Sequence, residues 1–255
     1  MAHYKCNCTF VPPRILENLA KIGVAEARLS IQQSKLSRKK RAEKEIDMKA
    51  LIGATTKAKP KRKVYDCQNK WKQRVKLVRG EGKPATGDKD VDLVYKYAGN
   101  VRDYFKKVLE RNSIDNKGMD LILNVHFGED YMNAFWDGDE MTFGDGDGEI
   151  FISFTKSLDV VAHELAHGVT QFTADLEYFS QSGALNEHFS DVFGSAITQY
   201  VLKQDAGQAD WLVGNEIMGP SLYGESLRSM QAPGMAYDNN LLGKDPQPAH
   251  MDDYY

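Results

Sequence analysis

Cysteine is scarce in this chain. The 255 residues hold three, Cys6, Cys8 and Cys67. They do not read as a disulfide framework, so packing rather than cross-linking has to hold the fold. Long apolar runs are missing as well. None approaches the roughly 20 residues that span a bilayer, and no membrane span is expected. Residues 1–10 lack the basic-then-apolar pattern of a secretory signal. The expectation is therefore a chain made in the cytoplasm, with any export by a route that no conventional signal encodes. Internal repeats and low-complexity tracts are absent too, which excludes solenoids and collagen-like chains. What is present is ordinary: 42% hydrophobic and 27% charged residues, enough for one large domain or two small ones.

Charge is unevenly spread. Residues 1–80 carry 21 Lys/Arg against 6 Asp/Glu, a net of +15, and residues 81–255 carry 12 against 30, a net of −18. A basic arm can mean nucleic acid or membrane. This one lacks the interleaved aromatics of a single-strand binder, so no nucleic-acid partner is expected. The basic arm is read instead as docking on the acidic remainder of its own chain.

Three parts follow from the patterning. In residues 1–56, Val11-Pro12-Pro13 opens a helix, since proline at a helix start loses no hydrogen bond. Ile15, Leu16, Leu19 and Ile22 mark its apolar face. A basic amphipathic stretch follows, and residues 57–63, Lys-Ala-Lys-Pro-Lys-Arg-Lys, read as a solvated, protease-accessible linker. Residues 64–157 read as β-rich: strands at 64–66, 75–79 and 121–127, a helix over 91–111, then the segments 133–136 and 141–143. The run Gly144-Asp145-Gly146-Asp147-Gly148 has neither the spacing nor the terminal glutamate of an EF-hand calcium loop and reads as a tight hairpin connection to 150–152. Residues 158–255 open with a helix, carry a second over 183–202, and end in loop.

The densest chemistry is His163-Glu164-Leu165-Ala166-His167 with Glu187 downstream. Residues four apart lie one above the other on a helix, so His163 and His167 can face one metal ion. Zinc takes such nitrogens at about 2.0–2.1 Å, and a catalytic zinc has three protein ligands and one open position. Glu164 follows the first ligand, where its carboxylate can take a proton from a zinc-bound water. The apolar positions Leu158, Val161, Ala162, Leu165 and Val169 mark a buried helix. Burying two histidines and a glutamate in it without a function would be costly. Glu187 and Asp191 are four apart on one face of the second helix. That places Asp191 to accept the outer N–H of a ligand histidine, the usual support for a metal-bound imidazole.

These segments, together with Asn133-Ala134-Phe135-Trp136, Gly183-Ala184-Leu185-Asn186-Glu187 and Ser226-Leu227-Arg228-Ser229-Met230, resemble the thermolysin-like zinc metalloproteases from about residue 64 to 255. The Val11-Pro12-Pro13-Arg14-Ile15-Leu16 segment resembles the short propeptide of the protealysin-like branch, which covers the active site until removed. The resemblance implies an α+β fold with a β-rich N-terminal lobe, the zinc helix, and the start of a helical C-terminal lobe. It implies an endopeptidase, in precursor form, cutting protein or peptide substrates before large apolar residues with one catalytic zinc. His163, His167 and Glu187 would be the ligands, Glu164 the general base, and Tyr178 an oxyanion donor. Asn186 and Asp191 would orient the histidines. Asn133, the Ala134 carbonyl and Arg228 would hold the substrate backbone, and Phe151, Val160 and Leu227 would line the apolar pocket.

Three departures qualify the resemblance. The family's further oxyanion histidine, whose loss would cost about 10²–10³ in kcat, has no counterpart; His250 stands in a different context. Part of one cleft wall is also without counterpart, so exposed apolar surface is expected. Where the family holds paired calcium, Asp159 and Asp210 match, but Thr198, Leu212 and Asn215 replace carboxylates. Calcium is thus left open and a paired site is not expected. The first departure motivates a second reading, a non-catalytic zinc-binding fragment or interaction protein. Latency is assigned to steric cover by the Pro-Pro segment and to charge attraction, in preference to a thiolate from Cys6 or Cys8 on the metal.

Overall fold

A computed structural model describes residues 9–51 and 59–253, with side chains over 9–41 and 59–253. Cys6, Cys8 and Lys57 lie outside the described residues. Two helices come first, α1 (Pro13–Lys21) and α2 (Ala25–Leu51). Pro13 sits at the first turn of α1, where its missing N–H is not needed. Ile15, Leu16 and Leu19 are buried as the periodicity requires, but Ile22 is 54% exposed. The apolar face stops one turn early because Ile22 caps the helix in a non-helical conformation and turns outward before α2.

A five-stranded sheet follows, in the order β2-β1-β3-β5-β4. Its strands are β1 (Arg62–Asp66), β2 (Lys76–Gly80), β3 (Leu121–Val125), β4 (Ala134–Trp136) and β5 (Met141–Phe143). β3 runs parallel to β1 and β5, while the outer strands β2 and β4 are antiparallel to their neighbours. The helix α3 (Lys89–Val108) crosses between β2 and β3. Its start is well specified: the Asp88 carboxylate accepts from the Asp90 and Val91 N–H groups, Asp90 and Asp92 lie in the first turn, and Lys106 and Lys107 in the last. Val91, Val94, Tyr95, Ala98, Val101 and Phe105 repeat at helical spacing and bury its inner face.

One expectation fails here. The Gly-Asp run does not join two paired strands. Gly144 and Gly146 donate back to the Asn133 and Tyr131 carbonyls, and Asp147 accepts from the amides of Glu149, Ile150 and Phe151. Phe151 then bridges to Met218 in the C-terminal part instead of to β5. The glycines allow this close backbone approach: a Cβ on Gly144 would sit 1.9 Å from the Tyr131 carbonyl oxygen.

The helices α4 (Leu158–Gln171) and α5 (Ser180–Leu202) follow. Every residue of α4 from Leu158 to Thr170 is buried. A helix enclosed on all sides is packed by its neighbours rather than by one stripe. α5 comes close to it: a Cβ on Gly194 would lie 3.1 Å from the Asp159 carbonyl oxygen. Beyond α5 the chain is loop with short strand pairs. The pair β6 (Leu212–Val213) and β7 (Arg228–Ser229) sets Arg228 opposite Val213. Apolar side chains on α5 face solvent, Leu185 at 43% and Phe189 at 40% exposure. No described helix is long and apolar enough to cross a membrane.

β4 is an edge strand, and its free edge is covered by the N-terminal segment. Phe10 donates to the Ala134 carbonyl, Ser30 accepts from the Met132 amide, and Arg41 donates to the Trp136 carbonyl. Edge strands are commonly protected by such cover. Phe10, Val11, Ile15, Leu16, Leu19 and Ala27 belong to the main core cluster. The segment is thus held by apolar burial together with hydrogen bonds to the strand edge.

Candidate metal centre and cleft

His163 and His167 lie one turn apart on α4, with imidazole centroids 4.6 Å apart. Glu187 faces them from α5: its carboxylate oxygens stand 3.3 Å from His163 Nε2 and 3.6 Å from His167 Nε2. Neither contact is a hydrogen bond, and both Nε2 atoms, Glu187 Oε1 and both Glu164 oxygens are buried without a partner. Such orphaned polar atoms are costly and are rare in native proteins unless a site needs them. A tetrahedral ion with ligands at 2.0–2.1 Å would separate neighbouring ligand atoms by about 3.4 Å, so the set fits zinc.

The outer nitrogens are held. His163 Nδ1 lies 2.8 Å from Asp191 Oδ1, and His167 Nδ1 lies 3.0 Å from both Asn186 Oδ1 and Ser190 Oγ. Asp191 is fixed in turn by Arg228, whose Nε and Nη2 donate to its two oxygens at 2.6 and 2.9 Å. This is a buried fork-to-fork pair. Asn186, Glu187, Ser190 and Asp191 are consecutive at helical spacing, which gives one face of α5 both a ligand and the supports.

Electrostatics follow from burial and these pairs. Burial would lower the His163 pKa, but Asp191 and Glu187 outweigh it and raise it to about 10. His167 faces neutral supports, and burial lowers it to about 3. Burial pushes Glu164 up to about 7. Asp191 is held well below the usual carboxylate range: Arg228 and His163 overcome the cost of its burial.

The cleft residues converge on the N-terminal segment. Asn133 Oδ1 accepts from the Val11 amide at 2.8 Å, and Asn133 Nδ2 donates to the Val11 carbonyl at 3.1 Å. The Phe10 amide donates to the Ala134 carbonyl at 3.0 Å, and the Phe10 carbonyl accepts from Arg228 Nη1 at 3.2 Å. The Phe10 ring is buried, edge-on to His163 at 5.1 Å. It shares one buried cluster with Phe151, Val160 and Leu227. Gly214 (φ +74°) leaves room for the Phe10 ring, for a Cβ there would lie 2.9 Å from that ring and 3.2 Å from Leu227. Tyr178 lies beside His167 at 5.7 Å, and its hydroxyl accepts from Arg41, whose guanidinium stacks 3.7 Å over the phenol ring.

The structure brings His163, His167, Glu187, Asn186, Asp191 and Arg228 together, sets Asn133 and Ala134 against the N-terminal segment and Tyr178 beside His167, and places Phe151, Val160 and Leu227 in the main core. Sequence reasoning missed Phe10, Arg41, Ser190 and Gly214. Ser190 was within reach, lying one turn after Asn186 on the same face. A large apolar residue directly before Val-Pro-Pro was a weaker signal for Phe10. Arg41 and Gly214 carried none, because their partners are distant in sequence. Two further groups of acidic and histidine side chains, Asp88/Asp90/His126 and Asp137/Asp139/Glu140, come together elsewhere among the described residues.

Known proteins resemble this chain in sequence and in fold. The sequence matches the catalytic domain of thermolysin metallopeptidases over residues 29–171 and their α-helical domain over 174–255. It is 46% identical over 254 residues to an "Extracellular metalloprotease" of Pectobacterium carotovorum subsp. carotovorum, covering 97% of this chain and 71% of that protein. It is 54% identical over 193 residues to "Protease PrtS" of Photorhabdus sp. (strain Az29), covering 76% of this chain and 52% of that protein. The fold is similar to the "Precursor of Protealysin, Metalloproteinase from Serratia proteamaculans", with a TM-score of 0.84 and 44% identity over 97% of this chain and 72% of that one. The chain thus spans about half to three-quarters of these relatives. The Pectobacterium relative is named as extracellular, and this overturns the expectation of a chain made in the cytoplasm with export only by an unconventional route.

Proposed function

The chain belongs to the thermolysin family of metallopeptidases, and from that premise we propose that it is a secreted zinc endopeptidase in latent precursor form. It would hydrolyse peptide bonds that precede a large apolar residue. The observation that carries this reading is the set of buried, unpartnered atoms on His163, His167, Glu187 and Glu164, converging at zinc-ligand spacing.

When bound by His163, His167 and Glu187, zinc would supply Lewis acidity and a lowered pKa for an attacking water. The chain's own residues would do the rest. Glu164 would take the water's proton and pass it to the departing amine. Tyr178 would donate to the oxygen on which charge develops. Asn133, the Ala134 carbonyl and Arg228 would align the substrate backbone, and Phe151, Val160 and Leu227 would receive the side chain after the cut bond. Asp191 and Asn186 would hold the imidazoles in one tautomer.

Latency has a direct account. Phe10 and Val11 take up every one of those backbone partners, and Arg41 engages Tyr178. Residues 1–56 would thus be the inhibitory propeptide and 57–63 the maturation region, with 64–157 the β-rich lobe and 158–255 the helical one. Arg62 is tied to Glu81 at 2.6 and 2.8 Å, which favours cleavage on the N-terminal side of that residue.

Zinc-loaded enzyme freed of its propeptide should cleave a quenched peptide with Leu after the scissile bond, and a chelator should stop it. Glu164→Gln should lower kcat by about 10²–10⁴ while zinc stays bound. Undiminished turnover by that variant would refute the assignment.

A further inference from the structure

A segment that merely blocks a cleft can cross it in either direction, and only one direction offers a bond to be cut. Phe10 and Val11 cross in the productive one. The Phe10 amide meets the Ala134 carbonyl, the Phe10 carbonyl meets Arg228, and the amide and carbonyl of Val11 both meet Asn133. The Ala134 carbonyl, Arg228 and Asn133 are the three partners assigned above to a substrate backbone. The Phe10 side chain is buried close to Gly214, where Leu227 also lies, as the residue after a cut bond would be. Pro12 comes next, and having no N–H it ends the pairing with the edge strand. On the other side, Thr9 is 3% exposed, and its hydroxyl donates to the Val11 carbonyl at 3.2 Å. No peptide bond in the described chain is cis. The Thr9 carbonyl is therefore opposed to the Phe10 N–H and turned away from β4.

We propose that the Thr9–Phe10 peptide bond is itself a substrate of this site, hydrolysed within the same molecule once the metal is loaded. The inference rests on the peptidase reading above. In the step, the oxygen of water bonds to the Thr9 carbonyl carbon and the bond from that carbon to Phe10 N breaks. Thr9 is left as a carboxylate, and Phe10 N takes up the proton to become an amino terminus. One water is consumed and no other reactant is needed. Phe10 keeps its pocket after the cut, so the product remains latent until the rest of the propeptide leaves. The cut thus precedes activation and is separate from maturation near residues 57–63.

The test is the intact mass of the full chain over time after zinc is added. The expected result is a species that begins at Phe10, formed with first-order kinetics at a rate unchanged over a tenfold dilution. Glu164→Gln should stay intact. Phe10→Leu should still be cut, and Phe10→Asp should be cut more slowly by about tenfold or more. Metal stoichiometry would show that each variant is folded. A readout independent of turnover is hydrogen exchange of the metal-free chain, in which the Phe10 and Val11 amides should be protected; unprotected amides would overturn the seating. If the bond survives while the same preparation, freed of its propeptide, cuts a peptide with Phe after the scissile bond, the inference is wrong and the peptidase reading stands. If neither is cut, the peptidase reading falls and takes the inference with it.

Discussion

Two clusters in this molecule use the same residue types to opposite ends. Around α4, His163, His167 and Glu187 converge with their inner atoms unpartnered, while Asp191, Asn186 and Ser190 hold the outer nitrogens. Near the start of α3, His126 sits between two carboxylates, 2.8 Å from Asp145 and 3.1 Å from Asp88. Both of its nitrogens are taken. Asp88 also caps α3, and Asp90 accepts from the hydroxyls of Ser153 and Thr155. Only Asp145 Oδ1 is left without a partner there. Composition does not separate a metal centre from a structural pin. Spare bonding capacity does: a metal site leaves several inner atoms free at once and secures the atoms behind them.

The sharpest way to break that comparison is to remove one histidine from each cluster. His163→Ala should abolish stoichiometric zinc and activity together, since two ligands rarely hold a catalytic zinc. His126→Ala should keep one zinc per chain. Metal analysis of both purified variants decides the matter, and loss of zinc from the second would make His126 a ligand.

A smaller effect is expected one shell out. Asp191→Asn keeps the shape but loses the charge that faces His163 and Arg228. Zinc affinity should fall by about 10–100-fold in a chelator competition titration. The chain should also lose stability, because Arg228 is left buried with a neutral partner. Asp145→Asn, the corresponding change behind His126, should leave zinc affinity where it was.

The candidate metal cluster was legible in the sequence because its parts are local: His163, Glu164 and His167 on one helix, Glu187 and Asp191 on another, each at a spacing that fixes a face. The strands β1, β2 and β3 and the α3 apolar face were legible for the same reason, whereas the short strand pairs beyond α5 were read as loop. What failed was set by contacts between distant segments. Ile22 matches the period of α1, but the turn before α2 carries it outward. The Gly-Asp run has hairpin composition, but its glycines admit the Tyr131 carbonyl and send Phe151 to Met218. The covering role of Phe10 and Arg41 depends on where the edge of β4 lies, and no local pattern marks that.

The smallest prediction concerns pH and sharpens the description of His126 as a pin. Asp145 raises its pKa from the ordinary 6.5 to about 9, against the lowering effect of burial, and Asp88 adds to the rise. A histidine whose pKa is raised on folding binds its proton more tightly in the folded chain. Its contribution is therefore fully present below pH 6.5 and is lost as pH climbs through about 9. The measurement is Tm between pH 6 and pH 10 for the propeptide-bearing chain and for His126→Gln, both with zinc removed. The native chain should lose more Tm across that window than the variant, whose glutamine has no proton to lose. The groups facing His126 are Asp145 from the Gly-Asp loop and Asp88 from the cap of α3, so the pin ties that loop to the helix start. Parallel curves would mean that the two carboxylates hold a neutral imidazole by hydrogen bonds alone, and the pin would then be independent of charge.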